Sequence, residues 1–310
     1  MMRAVVVDPE SKARLSVADV AEPEPGPSEA LVRVAAISLN RGEVRRAEAA
    51  EPGFRPGWDL AGTVERPTVD GPGEGARVVG FLPSGAWAEL AAVPTNAVAE
   101  LPDGVSFEEA ATLPVAGLTA LYALDKGGNL LGKNVLITGA SGGAGQFALQ
   151  LARMSGARVV ALVRRQEHEE LAREAGAHEV AVDENGAAAE EYGPYHLILD
   201  SVGGEVLGNV LHMLAPEGTC VSFGVSGSAE VTFDARELYL TGGAKLYGFI
   251  LFHEVIARPA SEGLARLVRL VDEGRLRPSI EVEAPWTDVG DVAQQLIDRG
   301  YTGKAVLRVS

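Results

Sequence analysis

The sequence predicts a two-domain α/β protein in which a doubly wound, parallel-sheet unit is joined to an irregular, mostly β unit. Three observations carry that expectation. From residue 132 to about 250, apolar strand-like runs alternate with helix-like ones. Residues 1 to about 112 read instead as short strands separated by turn-forming segments. With 310 residues, the chain has room for two domains of ordinary size.

In the first region the strand-like runs are RAVVV, EALVRVAAISL, LAGTVE, ARVVGFL and AWAELAAV. Between them lie PEPGPSE, AEPGFRPG and PTVDGPGEG, rich in residues that terminate strands. The character changes near residue 113. NVLITG, ARVVALV, HEVAV, YHLILD, GTCVSFG and KLYGFI follow as six candidate strands. Between the first two, Phe147, Ala148, Leu151 and Met154 recur at helical spacing, and Gly156 closes that helix. Further helices are expected over 166–175 and 207–214. Apolar strands interleaved with helices imply a parallel sheet covered on both faces. After residue 250 an amphipathic helix over 261–273 carries Leu264, Leu267, Val268 and Val271 on one face. A shorter helix over 289–298 and the terminal strand KAVLRV complete the chain, and this tail is expected to return to the first domain. The predicted domains are therefore 1–114 with 251–310, and 115–250.

The most informative stretch is the turn after NVLITG. A dinucleotide fingerprint needs small residues for a tight turn, for backbone approach to a pyrophosphate and for close helix–strand packing. Ala140, Gly142 and Gly145 fill those places, and Ala140, Ser141, Gly142, Gly143, Ala144 and Gly145 together form the expected phosphate loop. The loop follows an apolar strand and opens an amphipathic helix, the context that gives the pattern meaning. A structural Gly-rich turn is the alternative reading. At the end of the next strand, where an NAD site places a carboxylate for the ribose hydroxyls, stand Arg164 and Arg165. Guanidinium groups there suit a 2′-phosphate, which predicts NADPH, with His168 one turn further on. Solvated surface charge is the alternative for all three. Ser201, Phe223 and Ser226 follow the fourth and fifth strands, whose carboxyl ends face the ligand crevice in such sheets.

Composition narrows the function. Lys and Arg number 27 against 43 Asp and Glu, a formal net charge of −16. That balance argues against general nucleic-acid binding, which rests on neutralising phosphates, and suits a protein acting on small molecules. A single cysteine, Cys220, excludes an internal disulfide framework and fits a reducing compartment, here the cytoplasm. The opening MMRAVVVDPESKARL has too short an apolar run for a secretory signal, and no stretch approaches a membrane span. Residues 1–160 contain neither Cys nor His, so they offer no such ligand to a metal.

SLNRGEV at 38–44, PGWDLAGTVE at 56–65, LPVAGLTALYAL at 113–124, GASGGAGQFALQLA at 139–152, LILDSVGG at 197–204, VSFG at 221–224 and TGKAVL at 302–307 together carry a resemblance. The chain resembles the medium-chain dehydrogenase/reductase superfamily, in its zinc-free, zeta-crystallin-like quinone oxidoreductase branch. The resemblance covers nearly the whole chain. It implies a GroES-like catalytic domain beside a Rossmann domain. It also implies hydride transfer from NADPH to a quinone or α,β-unsaturated carbonyl, an electrophilic small molecule. An enoyl-thioester reductase and a non-catalytic, NADPH-binding protein with a crystallin-like or regulatory role are the alternatives. Where zinc-dependent relatives have metal-binding Cys and Gly-His-Glu, this chain has Asn40 and Gly57-Trp58-Asp59, so no catalytic metal is expected.

The same resemblance implies site residues. Asn40 matches an Asn beside nicotinamide and substrate, polarising the acceptor or orienting the carboxamide; with Glu43 it also reads as a helix-opening capping box. Trp58 lines the pocket or is structural. Thr119, Phe249 and Ile250 match segments near the nicotinamide; back-bonding for Thr119 and core packing for the other two are the alternatives. Lys304 matches a Lys near the cofactor, with a solvated Lys as the alternative. Many relatives carry a Tyr after the third strand of the cofactor domain, where this chain has Asp183-Glu184. Tyr239, Tyr247 and solvent are all open as the proton source. The resemblance also implies a homodimer formed through the sheet edge at KLYGFILF.

Overall fold

The computed structural model describes residues 1–310. Seven strands come first: β1 Met2–Val7, β2 Leu15–Val20, β3 Glu29–Ser38, β4 Asp59–Arg66, β5 Arg77–Phe81, β6 Leu90–Pro94 and β7 Val98–Glu100. Six follow in the middle: β8 Asn134–Thr138, β9 Arg158–Val163, β10 Glu179–Val182, β11 Tyr195–Asp200, β12 Leu214–Ser222 and β13 Lys245–Gly248. Two close the chain, β14 Ile280–Pro285 and β15 Lys304–Arg308.

The chain divides into a β unit, Met1–Leu118 with Val255–Ser310, and an α/β unit, Thr119–Glu254. Both crossings lie four residues beyond the boundaries expected after residues 114 and 250. The first is masked in the sequence because Leu113–Gly117, a π-helical turn, continues into the helix Leu118–Asp125. The second falls within the helix Leu251–Ala257.

All six strands of the α/β unit are parallel, in the order β10-β9-β8-β11-β12-β13. That is the doubly wound order, with its reversal between β8 and β11. β8 reads NVLIT and β9 RVVALV, each fully buried beyond its first residue, as expected of strands covered on both faces. Leu136, Val160, Ile198, Val210 and Cys220 share one core cluster. The helix expected over 207–214 runs from Gly204 to Leu211. Its apolar spacing flows without a break into Met213 and Leu214, so periodicity alone placed its end late.

The β unit holds a sheet in the order β14-β15-β3-β4-β5-β7, with β6 on the other half of β3, and a separate β1–β2 hairpin. The terminal strand returns as expected, pairing Val306 with Ser38 and Arg308 with Ala36. The sequence reading missed β2, β7 and β14. β7 is three residues long, and β14 alternates half-buried and exposed positions without a strong apolar face. Trp87 and Trp286 are fully buried in this unit's core. Every histidine and the single cysteine lie in the α/β unit, so the β unit contains neither residue type. No helix is long and apolar enough to cross a membrane.

Candidate functional site

Two constellations of polar and backbone groups stand out, one in each unit. In the α/β unit, β8 runs into a turn at Gly139, whose φ of +58° is the left-handed region that favours glycine. The sequence reading gave the tight turn to Ala140; the structure moves that role to Gly139 and buries Ala140 completely. Gly142 caps the helix Gly143–Met154. The first intrahelical bond runs from the Gln146 N–H to the Gly142 carbonyl. The N–H groups of Gly143, Ala144 and Gly145 thus have no acceptor within the helix, at its positive end. A Cβ on Gly145 would lie 2.4 Å from the Gly139 carbonyl oxygen and 2.8 Å from the Ala140 Cα. Only glycine lets the helix start this close to the turn. The buried Gln146 amide donates to the Ala140 carbonyl at 3.0 Å and fixes the loop from behind. These features fit a dinucleotide pyrophosphate.

Beside the loop, Thr138 and Asp200 meet across the reversal between β8 and β11. The Thr138 hydroxyl donates to Asp200 Oδ1 at 2.7 Å, and both residues are fully buried. Three successive backbone amides close on this pair. Ser201 N–H donates to Thr138 Oγ1 at 3.1 Å, Val202 N–H to Asp200 Oδ1 at 3.3 Å and Gly203 N–H to Asp200 Oδ2 at 3.0 Å. Burial pushes the Asp200 carboxyl up from its ordinary range, and these donors pull it back. The Ser201 carbonyl accepts from the Ser226 hydroxyl at 2.9 Å, tying in the next loop. Phe223 and Phe249 meet edge to face at 6.3 Å, Ile250 is 60% exposed, and Thr119 is buried. The sequence reading named Ser201 and Ser226 but not Thr138 or Asp200, which organise them. The Asp in LILDSVGG at a strand's carboxyl end was the signal available.

Arg164 and Arg165 emerge exposed from the end of β9. Arg165 pairs with Glu167 at 3.1 Å, while Arg164 has no partner. His168 lies 3.7 Å from Glu167, and its Nδ1 is buried without a hydrogen bond. Asp183 is turned away from any such role. Its carboxylate accepts from Ala188 N–H at 2.9 Å and Asn185 N–H at 3.3 Å, stapling its own turn, and these bonds hold it below the usual range.

The β unit's constellation joins residues far apart in sequence. Asn40 caps the helix Arg41–Ala49, and its N–H donates to Glu43 Oε1 at 2.7 Å, the reciprocal arm of a capping box. Its amide nitrogen donates to Glu43 Oε1 at 3.1 Å and Asp59 Oδ2 at 2.7 Å, while its Oδ1 accepts from Lys304 Nζ at 2.6 Å. A lysine can only donate, so the amide orientation is fixed. Lys304 also donates to the Leu39 carbonyl at 2.9 Å and lies 3.5 Å from Asp59. At 3% exposure it is no solvated lysine, and its known partners all lie within the β unit. Asp59 Oδ1 accepts from Val115 N–H at 3.0 Å, and Glu43 Oε2 from Trp58 N–H at 2.8 Å. Burial drives Glu43 well above the usual carboxylate range, aided by Asp59. It also raises Asp59, against the pull of Lys304, and lowers Lys304, against the pull of Asp59. Trp58 is half-buried, with its indole donating to the Pro83 carbonyl at 3.1 Å. Sequence reasoning gave Asn40, Trp58 and Lys304 separate roles; the structure joins them through Glu43 and Asp59. Both amide protons of Asn40 are spent, so it offers only an acceptor. No cluster of three or more His, Cys, Asp or Glu is arranged to hold a metal ion.

Family models match in two places: an alcohol dehydrogenase GroES-like domain over residues 26–103 and a zinc-binding dehydrogenase domain over 143–269. A quinone oxidoreductase of Pseudomonas aeruginosa is 30% identical, covering 94% of this chain and 95% of its own length. The mouse synaptic vesicle membrane protein VAT-1 homolog-like is 30% identical over 99% of this chain and 81% of its own. A mycocerosic acid synthase-like polyketide synthase of Mycobacterium tuberculosis is 29% identical over 99% of this chain, which matches 15% of that protein. Among solved structures, a mycobacterial protein complexed with NADPH superposes with a TM-score of 0.88 at 28% identity, over 99% of this chain and 100% of that one.

Proposed function

The chain belongs to the quinone oxidoreductase type of the medium-chain dehydrogenase/reductase superfamily, and from that premise we propose that it reduces a quinone or α,β-unsaturated carbonyl with NADPH and without zinc. The observation that carries the reading is the phosphate loop, where the turn at Gly139 and the close helix start at Gly142–Gly145 leave three helix-terminal amides without an acceptor in the helix. NADPH bound there supplies the hydride. Residues of this chain bind and orient. The amides of Gly143, Ala144 and Gly145 take the pyrophosphate. Arg164, unpartnered and exposed, takes the 2′-phosphate with Arg165, and the stapled Asp183 does not oppose it. The Thr138–Asp200 pair holds the Ser201–Gly203 backbone in place. Asn40 acts toward cofactor or substrate through Oδ1 alone, which favours orientation over polarisation of the acceptor.

The absence of Cys and His from the β unit supports zinc-independence, because the usual softer zinc ligands are missing there. An acceptor already electrophilic toward hydride needs no Lewis acid. The polyketide synthase relative supports a second reading, an enoyl-thioester acceptor. A homodimer through the outer strand β13, where Leu246 is 44% exposed, and a cytoplasmic location complete the proposal.

The test follows NADPH and NADH oxidation over quinones, enals and enoyl thioesters, in wild type and in the Arg164→Ala/Arg165→Ala variant. Turnover on one acceptor class with NADPH preferred, and loss of that preference in the variant, is the expected result. Equal weakening of both cofactors would remove the NADPH assignment. Cofactor binding with no turnover on the whole panel would remove the reductase.

A further inference from the structure

The chain holds three tryptophans, and the core accounts for two of them. Trp87 and Trp286 are fully buried in the β unit. Trp58 is only half-buried, and the bond from its indole to the Pro83 carbonyl lies at the surface. Leaving part of so large an apolar side chain in water forgoes the stabilisation that a core position gives. The structure nevertheless holds this ring firmly where it is.

At one end the indole N–H donates to Pro83 at 3.1 Å. At the other, Cη2 and Cζ3 of the ring rest against Gly42, where a Cβ would sit 2.9 Å and 3.1 Å from them. Gly42 stands in the first turn of the helix Arg41–Ala49, a place where glycine is a poor choice. Any side chain there would push the ring away. The main-chain N–H of Trp58 is fixed as well, by Glu43 Oε2 at 2.8 Å. The other oxygen of that carboxylate takes the N–H of Asn40 at 2.7 Å. One carboxylate therefore holds the backbones of Trp58 and Asn40 next to each other, and the indole lies on the helical turn that Asn40 caps. Glu43, Asp59 and Lys304 are all buried, whereas the indole reaches the surface beside them.

We propose that Trp58 is a specificity residue that stacks on a flat, fused-ring quinone, and that Gly42 positions its indole for this. The inference rests on the reductase reading and narrows its acceptor to the ring-shaped class. The face of an indole is electron-rich and a quinone ring is electron-poor, so offset stacking between them is favoured. A linear enal or enoyl thioester has no ring to lay on that surface. Because the indole is pinned at both ends, little side-chain freedom is lost when a ligand arrives.

The test is the ratio of kcat/KM for 2-methyl-1,4-naphthoquinone over that for trans-2-hexenal, with NADPH, in wild type, Trp58→Leu, Trp58→Phe and Gly42→Ala. Loss of an aromatic pair predicts a ratio about two- to tenfold lower in Trp58→Leu, with partial recovery in Trp58→Phe. Gly42→Ala keeps the indole but displaces it, and is expected to lower the ratio in the same direction. Being a mild change in a helix, it carries the test even where Trp58→Leu does not fold. Calorimetric binding of the naphthoquinone to the NADP⁺-loaded proteins, which have no hydride to give, reads the contact without turnover and is expected to weaken in parallel. An unchanged ratio and unchanged binding in folded Trp58→Leu overturn the proposal. An equal fall for both acceptors overturns it too, because that is the mark of a merely structural residue. Naphthoquinone binding that depends on Trp58, with no turnover of any acceptor, keeps the stacking surface and removes the reductase reading instead.

Discussion

The two units build their polar sites by opposite means. In the α/β unit the site is made of backbone: a left-handed glycine, a helix start and three loop amides, two pinned by the Asp200 carboxylate and one by the Thr138 hydroxyl. In the β unit it is made of side chains, four of them buried or half-buried around one lysine. A backbone site tolerates changes of side-chain chemistry but not of shape. An ionic cluster tolerates neither the loss of a charge nor the loss of a hydrogen bond, because each member is the counter-charge or donor of another.

The sharpest break of this comparison comes at Lys304. Replacing it with Met leaves Asp59 and the Asn40 carbonyl without their cation in a buried place. Breaking one partner of such a pair costs about 3–5 kcal/mol. Thermal or urea unfolding of Lys304→Met measures it. Lys304→Met combined with Asp59→Asn is expected to recover much of the loss, because the second change removes the orphaned charge. A double variant no more stable than Lys304→Met would show that the pair is not the unit that matters.

Gly145 tests the other side. Gly145→Val drives a side chain into the Gly139 carbonyl and the Ala140 backbone, where even a Cβ would sit at 2.4 Å and 2.8 Å. Such overpacking costs about 1–3 kcal/mol. Because the loop must shift to relieve the clash, NADPH binding is expected to vanish while the β unit keeps its fold. Calorimetric titration with NADPH, beside far-UV circular dichroism, checks both halves of that statement. NADPH affinity at the wild-type level in Gly145→Val would mean that the amides do not form the site.

Legibility in the sequence follows the same division. The six strands of the α/β unit, its glycine loop and the helix that follows the loop could be read because their signals are local: runs of Val, Leu and Ile, one helical period and a cluster of small residues. What could not be read there was the residue that turns the chain, since Gly139 and Ala140 are neighbours and only φ separates them. In the β unit, Asn40, Trp58 and Lys304 were visible as residue types at suggestive positions. Their union was not, because Lys304 reaches Asn40 only when β15 pairs with β3, some 265 residues back along the chain.

Thr138 sharpens the picture of how the backbone site is held. Thr138→Val keeps the shape but removes the donor to Asp200 and the acceptor of Ser201 N–H. A hydrogen bond to a carboxylate contributes about 1.5–3 kcal/mol, so a loss toward the lower end is expected. NADPH affinity should fall as well, because the Ser201–Gly203 loop loses one of its anchors. Stability lost with NADPH affinity untouched would confine the pair to the core and detach it from the site.

The smallest effect is one of pH. His196 Nδ1 accepts from Asn134 N–H at 3.1 Å and His178 Nδ1 from Val159 N–H at 3.0 Å, so each ring is held neutral where a strand begins. Burial is the first cause lowering both, helped by Lys133 for His196 and by Arg153 and Arg158 for His178. In the folded chain these rings therefore take up protons only below the ordinary value of 6.5, while in the unfolded chain they do so at 6.5. The stability they contribute is complete above that value and declines as pH falls below it, through their folded values. Ring-proton NMR titration should place both below 6.5. The difference in unfolding temperature between wild type and His178→Gln/His196→Gln isolates the effect from the buried carboxyls Glu43 and Asp200, whose raised values work in the opposite direction. Because the β unit contains no histidine, this acid-side weakening must show first in the α/β unit, as earlier amide exchange in β8 and β9 than in β3 and β4. Simultaneous loosening of β3 and β4 would mean that the two units do not lose stability separately, and the contrast between them would lose its energetic basis.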